Sequence, residues 1–206
     1  MPLILGTNSI KDTGYNVANS LRLDEPSNQG LTKTPSGAGN RRTFTLSAWI
    51  KRAKLDTGDQ QMIFESRVSN NDNCALNFTT SNTIQAKLKI GGSVSRLTTN
   101  RLFRDVASWF HLVWSVDTTQ STSSDRVKLY VNGVQETSFS ESGYPSQNAD
   151  TTFNNSVAHA IGKRTDNTDQ NFDGYIAEAV MIDGQALTPT SFGEFNSDSP
   201  TIWQPI

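Results

Sequence analysis

The chain has 206 residues, of which 34% are hydrophobic and 18% charged, and its formal net charge is −2. A pI near 5.7 leaves no global positive field to hold a polyanion, so nucleic-acid binding is disfavoured. The lone Cys74 excludes an intramolecular disulfide, no Cys/His spacing resembles a zinc site, and no apolar run reaches membrane-spanning length.

Residues 1–19 lack a sustained period and are punctuated by Gly6, Asn8, Gly14 and Asn16, which predicts an extended N-terminal arm. Met-Pro-Leu-Ile-Leu-Gly has neither the basic start nor the apolar length of a secretory signal, so the expected product is soluble and made in the cytosol. The main domain, residues 20–206, is expected to open at Ser20-Leu-Arg-Leu and to reach its first firm strand at Phe44–Ile50. There Phe44, Leu46, Ala48 and Ile50 alternate with Thr45, Ser47 and Trp49. Further strands are predicted at 62–66, 75–79, 83–90 and 94–98, with Asn/Ser/Asp/Gly clusters between them as loops.

Trp109–Asp117 sets Phe110, Leu112, Trp114 and Val116 on one face. Val127, Leu129 and Val131 follow, and Asn132-Gly133 supplies the two positive-φ positions of a type I′ hairpin turn, with a return over Val134–Phe139. After a long polar passage, 140–156, come strands at Val157–Gly162 and Tyr175–Ile182, the latter apolar on both faces except for Glu178, as expected in mid-sheet. Thr188-Pro189 opens one short C-terminal helical turn through Phe192 and Phe195. With no long amphipathic helix and ten to thirteen short strands, the pattern predicts an all-β, two-sheet antiparallel sandwich of jelly-roll type.

Five segments in this order, Phe44-Thr-Leu-Ser-Ala-Trp-Ile, Trp109-Phe-His-Leu-Val-Trp, Val127-Lys-Leu-Tyr-Val-Asn-Gly, Ala160-Ile-Gly and Phe172-Asp-Gly-Tyr-Ile-Ala-Glu, resemble the laminin-G/pentraxin-like branch of the concanavalin A-like lectin/glucanase superfamily. Ser20-Leu-Arg-Leu, Thr34-Pro-Ser-Gly-Ala-Gly-Asn-Arg and Ile182-Asp-Gly-Gln-Ala-Leu-Thr-Pro resemble virion proteins of marine and cyanobacterial tailed phages. That resemblance implies a non-enzymatic head-decoration, fibre or tail-associated protein, made in the host cytoplasm and located on the virion. Its implied partners are other virion proteins, further copies of itself in a homo-oligomer such as a trimer, and a host-surface glycan. The alternatives are a calcium-dependent carbohydrate-binding module and, behind it, a divergent glycosidase.

Glycosidases of this fold resemble one another in a Glu-x-Asp-x-x-Glu run, because acid and nucleophile must flank one bond. No such run occurs, and Glu178 with Asp183 has the wrong spacing. His111 and His159 fall inside predicted strands, no Gly-x-Ser-x-Gly elbow accompanies them, and Gly91-Gly92 lacks a P-loop lysine, so catalytic residues are expected to be absent. The carboxylates of Asp166, Asp169 and Asp173 cluster in one loop and read either as a solvated acidic turn or as a Ca²⁺ site, without the glycine and terminal Glu of an EF-hand. Tyr144 and Trp203 are the aromatics least explained by core periodicity, and stand as candidate sugar platforms; Trp203 reads equally as a residue that docks the tail or fills an intersubunit contact. In the arm, Leu3, Ile4, Leu5 and Ile10 suit an extended segment that pairs with a sheet edge of a neighbouring subunit or capsid, against the alternative of a frayed end.

Overall fold

The computed structural model describes residues 19–55, 58–166 and 169–206. Its strands run in chain order as β1 (Leu21–Leu23), β2 (Leu31–Lys33), β3 (Thr43–Arg52), β4 (Gln61–Arg67), β5 (Asn73–Phe78), β6 (Ile84–Ile90), β7 (Ser93–Thr99), β8 (Phe110–Asp117), β9 (Val127–Val131), β10 (Val134–Gln135), β11 (Phe139–Ser142), β12 (His159–Ile161), β13 (Gly174–Asp183), β14 (Gly193–Phe195) and β15 (Trp203–Pro205). Six form one antiparallel sheet in the order β1-β13-β3-β8-β9-β10, seven form the second in the order β11-β7-β6-β5-β4-β12-β2, and β14-β15 make a small ribbon. The two large sheets form the expected sandwich. The arm residues Leu3, Ile4, Leu5 and Ile10 lie outside the described residues.

The alternation read from the sequence builds the core. Phe44, Leu46, Ala48 and Ile50 of β3 lie beside Val116, Trp114, Leu112 and Phe110 of β8 in register. Opposite them stand Cys74, Leu76 and Phe78 of β5 and Ile84, Ala86 and Leu88 of β6, all buried in one continuous cluster. Burial pushes the Cys74 thiol pKa up, in keeping with a small apolar strand residue rather than a reactive one. At the end of β3 the buried Arg52 donates to Asn82 Oδ1 at 2.8 Å and to the Phe103 carbonyl at 2.7 Å, and lies 4.3 Å from the centroid of the Phe78 ring. Burial pushes its pKa down to about 10.

The hairpin at Asn132-Gly133 has the two positive φ values its turn type requires, 48° and 79°. Its return is shorter than expected: only Val134 and Gln135 pair back onto β9, after which the chain crosses to the other sheet and β11 pairs with β7. Part of the passage read as loop is therefore strand. β13 is not a mid-sheet strand along its whole length either, because β1 covers only Gly174–Ile176. The ladder with β3 shifts between Ala177 and Val180, and Glu178 sits there exposed with φ 48°. The predicted helical turn is a 3-10 turn, Pro189–Ser191, and Phe195 belongs to β14.

Candidate functional site

On one flank of the sandwich β9 and β10 close the first sheet and β11 closes the second. Between them lies a groove of about 390 Å³ lined by the 3-10 turn at Ser124 and Asp125, by Val127, Lys128 and Leu129, by Gln135–Thr137, and by Phe139, Ser142 and Tyr144. Tyr144 and Phe139 are half-buried and pack their inner sides against the core. The loop carrying Tyr144 is pinned on both sides of the ring: Gly143 N–H donates to the Arg96 carbonyl at 2.8 Å, and Arg126 Nη1 donates to the Pro145 carbonyl at 2.8 Å. The rim is charged, with Lys128 Nζ 3.0 Å from Asp125 and Arg101 2.8 Å from Glu136. An aromatic floor with a hydroxyl- and amide-bearing rim matches the two faces of a sugar, its C–H face and its ring of hydroxyls. Both groove carboxylates already have a cation, so neither is a free acid awaiting a substrate.

Trp203, the second candidate platform, is not available. It is 8% exposed because the C-terminal ribbon lays it over the outer face of β3 and β8. There it stacks on His111 at 6.0 Å and meets Phe195 edge-on at 4.9 Å, while His111 stacks on Trp49 at 5.0 Å. Gly133 and Gly193 make room for the indole; a Cβ at either would collide with it. This packing places Trp203 as a residue that docks the C-terminal ribbon on the sheet. Trp109 stays exposed beside Tyr175, whereas Trp114 is in the core.

Beneath Trp203, Ser47 Oγ lies 2.8 Å from His111 Nε2, which resembles a nucleophile and its base. The hydrogen bonds exclude that role. Trp203 Nε1–H donates to His111 Nδ1 at 3.0 Å, and an indole N–H is donor only, so Nδ1 is bare and the proton sits on Nε2, directed at Ser47. Burial lowers the pKa of this imidazole to about 4, holding it neutral. His159 is held similarly, its Nδ1 2.8 Å from the Val157 carbonyl while its Nε2 accepts from Asn154 N–H. Glu178 lines the shallow cavity beside His111 and Phe192 and is exposed rather than buried in mid-sheet.

Among the described residues, the acidic loop does not bring three carboxylates together. Asp166 is held by Arg164 Nε at 2.6 Å and faces Arg67 at 3.5 Å, and Asp173 pairs with Arg22 at 3.0 Å. Asp169 is exposed. Arg67 also holds the fully buried Glu65 at 2.8 Å, and Thr165 donates to that carboxylate from its backbone N–H and its hydroxyl. The two carboxylates flanking Asp169 thus answer arginines on different elements, and no group of three or more His, Cys, Asp or Glu among the described residues is placed to share a metal ion. These residues do not fit the calcium ion that the sequence cluster suggested. No helix among the described residues is long and apolar enough to cross a membrane.

The Laminin_G_3 family model, described as the concanavalin A-like lectin/glucanases superfamily, matches residues 26–191. The chain belongs to that superfamily. No curated protein matches it by sequence. Among solved structures, domain 4 of AbnA, an extracellular arabinanase of Geobacillus stearothermophilus in complex with arabinotriose, is similar at TM-score 0.61 and 23% identity, over 83% of this chain and 73% of that one. A pentraxin of Limulus polyphemus is similar at TM-score 0.56 and 15% identity, over 84% and 77%. The CBM40 of a Ruminococcus gnavus sialidase, bound to α2,3 sialyllactose, is similar at TM-score 0.55 and 14% identity, over 84% and 93%. At these identities the likeness is one of fold, and the fold is of lectin and carbohydrate-binding type.

Proposed function

We propose that this superfamily member is a non-catalytic glycan-binding protein that takes a saccharide in the groove between β9, β10 and β11. The observation that carries the reading is the pair of half-buried aromatics, Tyr144 and Phe139, on the floor of a groove rimmed by Ser124, Lys128, Gln135 and Glu136. A sugar ring laid on Tyr144 keeps its hydroxyls within reach of those side chains. Two of the solved structures of this fold, the arabinanase domain and the CBM40, hold saccharides. The non-catalytic part rests on the engaged groove carboxylates and on the His111 tautomer that points its proton at Ser47. Because the described residues of the acidic loop offer no shared cation site, binding is expected to be indifferent to EDTA. The particle-borne setting read from the phage-like segments belongs to the same proposal, and mass spectrometry of purified virions of the encoding phage tests it by presence or absence of the chain.

The decisive experiment is a glycan array with the full-length protein, followed by calorimetry on the best saccharide for wild type and Tyr144→Ala. Loss of about tenfold or more in affinity, roughly 1.4 kcal/mol, is expected for the variant, with an unchanged melting profile. Equal affinity in the two proteins would remove the groove from the argument. Binding that disappears with EDTA would favour the calcium-dependent module, and polysaccharide cleavage lost in Glu178→Gln would overturn the non-catalytic reading.

A further inference from the structure

The opposite flank of the sandwich is also open, and what it exposes is core. Met181 of β13 lies opposite Leu46 of β3, which is fully buried, so Met181 faces between the sheets; yet it is 38% exposed. Leu31 of β2 is paired with Ile161, itself opposite Phe64, and also faces inward, yet it is 54% exposed. Between these two rims runs a cleft of about 480 Å³, within the roughly 300–1,000 Å³ of small-molecule pockets. Phe64, Phe153 and Leu46 line its floor and are themselves buried, so the cleft narrows to a slot at its base. A slender apolar occupant fits such a slot, whereas a sugar ring would leave its hydroxyls unpaired there.

The polar groups around the cleft decide what the occupant carries. No Asp or Glu lines it. His159 is engaged by the fold on both ring nitrogens, Nδ1 lying 2.8 Å from the Val157 carbonyl and Nε2 accepting from Asn154 N–H at 3.1 Å. Asn154 Nδ2 donates to the Asn40 carbonyl at 2.8 Å and to Asp183 Oδ1 at 3.0 Å. Thr32, between Leu31 and Lys33, points to the opposite face of β2. Lys33 shares the inward face of Leu31 and lies opposite His159 in register; it is exposed and has no ion-pair partner among the described residues. One unpaired cation thus stands at the mouth of an otherwise apolar slot. We infer that the cleft binds the free anion of a medium- or long-chain fatty acid, its alkyl tail along Leu31, Phe64, Phe153 and Met181 and its carboxylate held by Lys33 Nζ in a charge-assisted hydrogen bond.

Calorimetry on the full-length protein with decanoate, below its micelle-forming concentration, tests this beside two ligands that each change one end. Decyltrimethylammonium keeps the tail and reverses the charge of the head; butyrate keeps the head and shortens the tail. The expected result is saturable binding of one decanoate per chain, with both other ligands at least about tenfold weaker, since each buried methylene contributes up to about fourfold in affinity. Lys33→Gln, a change at an exposed side chain that leaves the melting profile as in wild type, is expected to weaken decanoate by about fivefold or more. Glycan affinity in the β9–β11 groove stays unchanged in that variant, so this inference and the glycan reading fail separately. Absence of saturable decanoate binding overturns the inference. Equal affinity for decyltrimethylammonium, or undiminished decanoate affinity in Lys33→Gln, overturns it as well, by showing that the head group is not read.

Discussion

The two flanks of this sandwich share one geometric feature and differ in chemistry. On each, the edges of the two sheets diverge and leave a groove of a few hundred cubic ångströms. On the β9–β11 flank the chain lines that groove with Ser124, Asp125, Lys128, Gln135, Glu136 and Ser142 around a tyrosine. On the β13–β2 flank it leaves Leu31, Phe64, Phe153, Ile161 and Met181, with His159 and Lys33 at the margin. A polar rim is stable in water by itself, whereas inward-facing apolar side chains in contact with water are a surface waiting to be covered. The same gap in sheet closure is thus lined by polar side chains around a tyrosine on one side and by apolar side chains on the other.

The largest effect that separates the flanks is on stability. Phe153 is buried beneath the apolar cleft, against Phe44 at 5.3 Å and Trp114 at 5.6 Å. Phe153→Ala is expected to lower unfolding free energy by about 3–5 kcal/mol in urea titration, while glycan affinity, measured where the variant remains folded, stays as in wild type. A parallel loss of affinity would show that the flanks are mechanically coupled.

Acid sharpens the contrast further. His111 under the C-terminal ribbon and His159 in the apolar cleft both have folded-state pKa values lowered by burial, His111 from 6.5 to about 4. A lowered folded pKa means that the unfolded chain takes up protons first, so the stability is present above about pH 6.5 and is lost as pH falls toward 4. His111 alone contributes up to about 3 kcal/mol across that window, at roughly 1.4 kcal/mol per pH unit. His111→Gln is expected to flatten the dependence of unfolding free energy on pH. The polar groove contains no histidine, so glycan affinity between pH 7 and 5 is expected to stay level.

How much of this was legible in the sequence follows from the range of the interactions. Phe44–Ile50 and Phe110–Val116 declare their buried faces by alternation, and Asn132-Gly133 declares its turn by backbone chemistry, because both signals are local. β2 has three residues, too few to show a period. The place of Trp203 depends on His111, 92 residues away in the chain, and on two glycines that leave room for the ring, and neither is visible in the local sequence. Asp166 and Asp173 look like members of a ligand set in the sequence because Arg67 and Arg22, which face them, come from distant strands; only Arg164, beside Asp166, is a local partner. Tyr144 was legible by elimination, since no core period claims it, but the groove around it was not: β11 carries Phe139 and Ser142 to the opposite sheet where sequence pattern expected a simple hairpin return.

The smallest effect tests whether the polar rim is ligand chemistry or ordinary solvated surface. Lys128 pairs with Asp125 at 3.0 Å at the mouth of the groove, and both side chains are substantially exposed. An exposed ion pair of this kind contributes at most about 1 kcal/mol to stability, so Lys128→Ala should scarcely move the melting temperature. If a saccharide sits on Tyr144, the ammonium group is one of its hydrogen-bond donors, and removing it costs about 1 kcal/mol of binding, roughly a fivefold rise in Kd by calorimetry. A saccharide that binds Lys128→Ala as tightly as wild type would place the bound ring away from β9, and would narrow the site to the Phe139–Tyr144 side of the groove.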